Sequence, residues 1–405
     1  MSLPNRSATP ALLMAALMSL CSAQEWTEAV VVQKFLNQSP QAREARARVA
    51  IAEAETRGRA LYTNPSLNYS REGAGRTEFF QAEQILPITG RLKLLRQAGV
   101  ALARAAEAEG AFSLWQARSS LRQAFYRVLA TQQSETIYAA GLKDIENIIR
   151  VLAAREREGE GSKFDRLRTE RERAELLAEL ALVQAATALE RAQLLAFLPT
   201  DTEITAVSGQ VETPLLALNA SELTQRALAV REDYRAGQRR IEQYRLEHRA
   251  AERLRFPEPV FNAGLKRAEV GQRGMHGPVI GITVPLPLFN RGQTEIARYS
   301  AEQERASARL EVLSRQIRGA VEGTVQALSL RQRARDEYRN QLAETGPELV
   351  RIATVAYQEG EVGILQLLDA LRTQRQAQLR LLDLHAAVKE AQIELERVIG
   401  EEFAR

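Results

Sequence analysis

The side chains best suited to metal or nucleophilic chemistry are three histidines and one cysteine. His248 and His385 fall on stretches of helical period, and His276 falls in a glycine-rich loop. None has an acidic or imidazole partner at metal-ligand spacing, so neither a metal site nor a resident cofactor is expected. The chain has no Gly-x-Ser-x-Gly, phosphate loop or dinucleotide fingerprint. Gly159-Glu160-Gly161 is glycine-rich, but it is acidic and lies between helices, where it would not cradle a phosphate. Without convergent polar groups, an enzyme is not expected. Lys+Arg 55 against Asp+Glu 51 leaves a net charge of +4, with the signs interleaved. That gives no field for nucleic acid, and the charges read as solvated helix faces.

Cys21 belongs to the N-terminus. Arg6 is the only charge before Glu25, Ala8 to Leu20 is mostly apolar, and Cys21-Ser22-Ala23 supplies small residues ahead of Gln24. Residues 1–23 therefore read as an export signal. Cys21 is also a candidate for lipidation, but Leu20 suits the preceding position poorly, so simple cleavage is the expectation. The mature chain would then hold no thiol, disulfide or thiolate metal site.

The elements that position everything else are long helices. Aromatic residues make up 5% of the chain, while Ala, Leu, Arg, Glu and Gln dominate, a mix suited to helices rather than to a thick globular core. Trp26 to about Tyr62 reads as helix, interrupted near Pro40, with Thr27 as its cap. Arg91 to Glu158 is helical for roughly 100 Å. Gly159-Glu160-Gly161 ends it, and a helix from Phe164 to about Leu198 follows. After a linker, about 200–219, Ser221 caps a helix running to about Leu254. A second long helix spans Gln293 to Gln358, nicked at Gly346-Pro347. Glu359-Gly360-Glu361-Val362-Gly363 turns the chain into a last helix, Ile364 to Ile399.

Two segments break this pattern with period-2 alternation. In Val279 to Leu286 the residues Ile280, Ile282, Val284 and Leu286 share one face. Phe80, Ala82, Gln84 and Leu86 form a weaker copy. Each leads out through a proline, Pro87 or Pro287, which lacks an N–H and can end strand pairing. Leu67 and Tyr69 alternate in Ser66 to Ser70, and Phe261, Ala263 and Leu265 in Val260 to Leu265. Lys266 to Gly277 reads as the loop of the second hairpin.

The chain therefore runs helix, hairpin, long helix, glycine turn, helix, and then repeats. Pro87 and Pro287 stand 200 positions apart, and Gly159-Glu160 and Gly360-Glu361 stand 201 apart. Residues 24–405 read as one duplicated domain, with repeat one at about 26–199 and repeat two at about 220–400. The fold class is mainly α with a small β part. Four strands cannot close a pore, and open edges are forbidden in lipid. Membrane strands would therefore close with other copies, and three copies would give twelve strands.

With the duplication, the Leu86-Pro87 and Leu286-Pro287 exits, and Tyr357-Gln358-Glu359-Gly360 leading into Leu367-Leu368-Asp369-Ala370, the chain resembles the outer membrane factors, the TolC-like exit ducts of tripartite efflux pumps. Its compact length is closer to the heavy-metal cation branch. The resemblance implies a homotrimer with a β-barrel in the outer membrane and a periplasmic α-barrel. A periplasmic adaptor and an inner-membrane pump would be its partners, and efflux its function. It places Tyr357 on the gate tyrosine, Asp165 on an acid of the gate network and Asp369 on an acid ringing the narrow end. Gly159, Gly161, Gly360 and Gly363, simplest as backbone breakers, become the tips that an adaptor contacts. Val362 stands where better-known members carry an arginine, and Gln366 replaces an acid. The alternative is a periplasmic coiled-coil scaffold or adaptor without a pore, which would leave the two alternating segments without a use.

Overall fold

The computed structural model describes residues 25–403 apart from 60, 74–75, 216–217 and 271–272. The expected export signal and Cys21 lie outside the described residues. The first repeat holds α1 (Glu28–Gln38), α2 (Pro40–Arg59), β1 (Ser66–Glu72), β2 (Thr77–Ile85), α3 (Arg91–Arg157) and α4 (Lys163–Leu195). The second holds α5 (Ala220–Val230), α6 (Glu232–Glu252), β3 (Val260–Val270), β4 (Arg273–Thr283), α7 (Gln293–Gln358) and α8 (Ile364–Ile399).

α3 and α7, at 67 and 66 residues, are each about 100 Å long. No isolated helix of that length is held by propensity alone, so burial along its sides must hold it. α3 packs along α2, α4, α6 and α8, and α7 packs along α6 and α8. The apolar core is correspondingly thin and strung out. Leu94 and Ala98 meet Leu246 and Ala250 near the sheet. Phe35, Leu121 and Phe125 form the widest cluster midway. Ile145, Leu152, Leu176 and Leu367 form one near the far end. Alanines fill the α2–α3 contact, where Ala42, Ala52 and Ala105 are buried and let the backbones approach.

Several expectations are corrected. Pro347 lies inside α7, which continues through it without a nick. Thr27 makes no side-chain cap, while the Ser39 hydroxyl accepts from the Ala42 N–H at 3.1 Å. Asn219, not Ser221, caps α5 through bonds from Ser221 N–H and Glu222 N–H. The helix expected to run on to Leu254 breaks at Arg231, whose backbone is extended at φ −64, ψ 123. Ser39 makes the same break between α1 and α2 at φ −67, ψ 151. The first break shows in sequence because Pro40 follows it. The second is made by a side chain: buried Arg231 grips the Asp233 carboxylate and donates to the Val398 carbonyl at 2.7 Å.

The strands form one antiparallel sheet in the order β1-β2-β3-β4, so strands from the two repeats pair at its centre. The loop expected at Lys266 to Gly277 is mostly strand. β3 and β4 pair as far as Val270 and Arg273, which places His276 in a ladder opposite Arg267. Ladder hydrogen bonds hold this end together although charged side chains (Lys266 and Arg273 on one face, Arg267 and Glu269 on the other) interrupt both faces, a pattern that hid it from a search for apolar alternation.

Candidate functional site

Strand register sorts the sheet into two unlike faces. Leu67, Ala82, Ala263 and Ile280 lie across one row, and Tyr69, Phe80 and Leu265 lie across the next. Their face is apolar and open: Leu67 is 89% exposed and Ile280 74%. The other face carries Asn68, Gln81, Glu83, Asn262 and Lys266. Water would not tolerate an exposed apolar face of this size on a free-standing protein. The 11 residues of β4 run about 36 Å, or about 25 Å of height at a tilt of about 45°. β1 and β4 are the sheet edges, each with a single strand neighbour.

At one end of the sheet the chain turns into helix at the expected prolines. The strands stop at Ile85 and Thr283. The Ile88 N–H then donates to the Leu86 carbonyl, and the Leu288 N–H to the Leu286 carbonyl, each at 2.9 Å. Each bond spans three residues centred on Pro87 or Pro287. That is an inverse γ-turn, whose central φ matches the value that proline's ring imposes. Gly90 and Gly292 then open α3 and α7 with φ of 75 and 79. Ile88, Leu286, Leu288 and Phe289 stand exposed around these exits.

At the far end, α3 and α7 close alike. Gly159 and Gly360 both have φ 78. The Gly159 N–H donates to Glu156 O and the Glu160 N–H to Arg155 O. The Gly360 N–H donates to Tyr357 O and the Glu361 N–H to Ala356 O. Both are Schellman closures, in which a left-handed glycine satisfies the last helical carbonyls. Gly161 and Gly363 do other work. Gly161 lies against the Arg155 and Glu156 backbone, and Gly363 precedes α8 with extended backbone.

Tyr357 and Asp165 lie near each other here, and a residue that sequence reasoning missed, Arg155, sits against the Tyr357 ring. The Arg155 guanidinium lies 5.9 Å from the Tyr357 ring centroid. Burial raises the phenol's pKa, Arg155 opposes that rise and nearby Asp165 adds to it, so the group stays a protonated donor at neutral pH. No local signal marks the pairing: Arg155 lies in the last turn of α3 and Tyr357 in the last turn of α7, about 200 residues later. Arg166 braces the same tip through Glu156 and Glu170, each at 2.5 Å. Further along, buried Glu172 of α4 receives Arg372 of α8, with Arg375 3.6 Å away.

Asp369 stands apart from that group. It is exposed in the second turn of α8 and, with Gln366, Tyr338 and Thr345, lines a cavity of about 480 Å³ between α7 and α8. Val362 is half-buried beside the Gly360 turn. His248, His276 and His385 are far apart in sequence and on different elements. Among the described residues no group of three or more His, Cys, Asp or Glu is placed to hold a metal ion.

Midway along the helices, Arg122 is buried between Glu28 of α1 and Glu396 of α8, and the Tyr126 hydroxyl donates to Glu28 at 2.7 Å. Burial alone would lower the guanidinium's pKa, but the two carboxylates outweigh it and hold Arg122 charged. This cluster ties α1, α3 and α8 together.

Residues 223–401 match the model of the outer membrane efflux protein family. Over 191 residues, 46% of this chain, the sequence is 28% identical to the cobalt-zinc-cadmium resistance protein CzcC of Cupriavidus metallidurans. That stretch spans 40% of the relative's length. The fold is similar to CusC, with a TM-score of 0.72 and 19% identity over 92% of both chains. It is also similar to the outer membrane protein VceC of Vibrio cholerae, with a TM-score of 0.72 and 18% identity over 93% of this chain and 97% of that one. The second repeat thus carries the sequence pattern of the outer membrane efflux protein family, and nearly the whole chain shares the fold of these outer-membrane channel proteins.

Proposed function

We propose that three copies of this chain form an outer-membrane exit duct through which a tripartite pump expels cargo. The observation that carries this reading is the sheet: four strands, one exposed apolar face, one polar face and two open edges. Lipid satisfies the apolar face but not the edges, since unpaired backbone groups in hydrocarbon cost several kcal/mol each. Pairing β4 of one copy with β1 of the next removes every edge. Three copies make twelve strands, an even number within the known range for such barrels. The polar face then lines a water-filled lumen, and α3 and α7 carry that lumen about 100 Å into the periplasm.

The far end of the helices is the proposed gate. Tyr357 and Asp165 form its lock, with Arg155 supplying the cation that Val362 does not. Asp369 places one carboxylate per copy near the narrow end, where ionisable rings select ions. Gly159, Gly161, Gly360 and Gly363 shape the tips against which a periplasmic adaptor would dock, with an inner-membrane pump behind it. Divalent heavy-metal cations are the proposed cargo, supported by the name of the CzcC relative. The protein acts as a passive duct rather than an enzyme. The chain is best divided as one duplicated unit, with repeats at about 26–199 and 220–400.

The test is assembly. Outer membranes from cells expressing the full chain should contain the protein, and native mass spectrometry in detergent should find three copies. A stable folded monomer extracted from that membrane would sink the reading.

A further inference from the structure

One row of side chains, just beyond the apolar band, has no part in the duct or the gate. Arg71 stands opposite Glu78, Glu78 opposite Arg267, and Arg267 opposite His276. Because the strand period is two, all four share the face of Leu67 and Leu265. The row lies one step nearer the hairpin ends than the row of Tyr69, Phe80 and Leu265. The helices leave from the opposite end of the strands, so this row faces the outer leaflet.

Its charge is unbalanced. Glu78 is the single acid, and it is shared: Arg71 Nε and Arg267 Nη1 each lie 3.9 Å from its carboxylate. The Tyr69 hydroxyl donates to that carboxylate at 3.3 Å. The arginine side chains remain 59% and 52% exposed, while that of Glu78 is 21% exposed beneath them. Two guanidiniums and an imidazole over one carboxylate leave net positive charge and free donors at headgroup depth. A guanidinium fork matches the oxygens of a phosphate, and an imidazole N–H adds another donor.

We propose that Arg71, Arg267 and His276 form a binding site for the phosphate groups of outer-leaflet glycolipid. Charge complementarity identifies the occupant's chemistry. Continuity with the lipid-facing band, at the end away from the periplasm, identifies the leaflet. The inference rests on the membrane reading given above.

Purified trimer is incubated in detergent with bis-phosphorylated lipid A, with monophosphoryl lipid A, or with phosphatidylglycerol, and retention is read by native mass spectrometry. The bis-phosphorylated lipid should be retained best. Arg71→Gln with Arg267→Gln should lose at least about tenfold in retention, the worth of one charge-assisted contact. Glu78→Gln removes the competing carboxylate and should retain more than the parent, a gain that misfolding would not produce. Equal retention of all three lipids, or a double variant that forms trimers and retains lipid A unchanged, would overturn the site. A trimer in the outer membrane that retains no lipid A overturns this inference alone. A chain absent from outer membranes overturns the membrane reading beneath it.

Discussion

Gly159 and Gly161 stand two residues apart in one turn, yet a side chain would harm them for different reasons. Gly159 has φ 78 and open space around it. Gly159→Ala should therefore cost only the left-handed conformation, about 1 kcal/mol. At Gly161 a Cβ would lie 2.7 Å from the Glu156 nitrogen and 2.9 Å from the Arg155 carbonyl carbon. Backbone cannot give way as a side-chain end can, so Gly161→Ala should cost about 2 kcal/mol and open the tip. Thermal unfolding in detergent with limited proteolysis at the turn separates the two, and equal losses would refute the packing role. His385 is the other residue with a definite expectation. It is buried, and its Nδ1 has no hydrogen-bond partner among the described residues. Burial lowers its pKa below the usual 6.5; Glu212 and Asp336 oppose that shift, while Arg335 and Arg339 reinforce it. Below about pH 6.5 the unfolded chain binds a proton that the folded chain resists, so stability falls as pH drops. The unfolding midpoint should be lower at pH 5.5 than at pH 7.5, and His385→Gln should flatten that slope. An unchanged slope in the variant would assign the pH dependence elsewhere.

At the scale of elements, the strand exits do more than stop a ladder. Pairing ends before each proline, and the proline then centres a γ-turn that aims the chain into a 100 Å helix, about the length expected from 67 residues. Leu286, Leu288 and Phe289 surround Pro287 and are exposed, Phe289 at 91%. Pro287→Ala keeps this apolar rim and should lower yield only slightly. Pro287→Asp puts a carboxylate at the hydrocarbon boundary, where depth-dependent costs run to about 1 kcal/mol or more per copy. Outer-membrane yield should fall severalfold, and an unchanged yield would contradict the placement of the exit. The helix boundaries were legible because Gly90, Gly159, Gly292, Gly360 and Gly400 all take left-handed backbone, a need that glycine advertises. The break at Arg231 was not legible. Nothing in Arg231-Glu232 forbids helix, and the kink arises from contacts with α8, 167 positions away.

For the whole molecule, the gate makes the most exposed prediction. Tyr357→Phe removes the phenol that Arg155 meets, and Arg155→Gln removes the cation. A charge-assisted contact of this kind is worth about 1.5–3 kcal/mol, and the proposed threefold symmetry would multiply it. Both variants should raise single-channel conductance in planar bilayers. Asp369→Ala should leave conductance closer to the parent but weaken cation preference, since it deletes one carboxylate per copy from the proposed ring. An unchanged reversal potential in a salt gradient would reduce Asp369 to an exposed polar residue of the α7–α8 groove.

Periodicity and punctuation determined the helices, the two hairpins, their exits and the doubling, because each depends on residues within a few positions of one another. Alternation at Ile280 and Ile282 was enough to say that one sheet face is apolar, since period two follows from strand geometry alone. Tertiary structure decided what depends on long-range contact. It carried α7 through Pro347, extended β3 and β4 beyond the stretch of regular apolar alternation, and set the two repeats' strands side by side. It also brought Arg155 from the end of α3 onto Tyr357 at the end of α7, about 200 residues later, while leaving Asp369 apart. Such pairings are fixed by how the two long helices each lie along α6 and α8, and local sequence carries no record of those angles or registers.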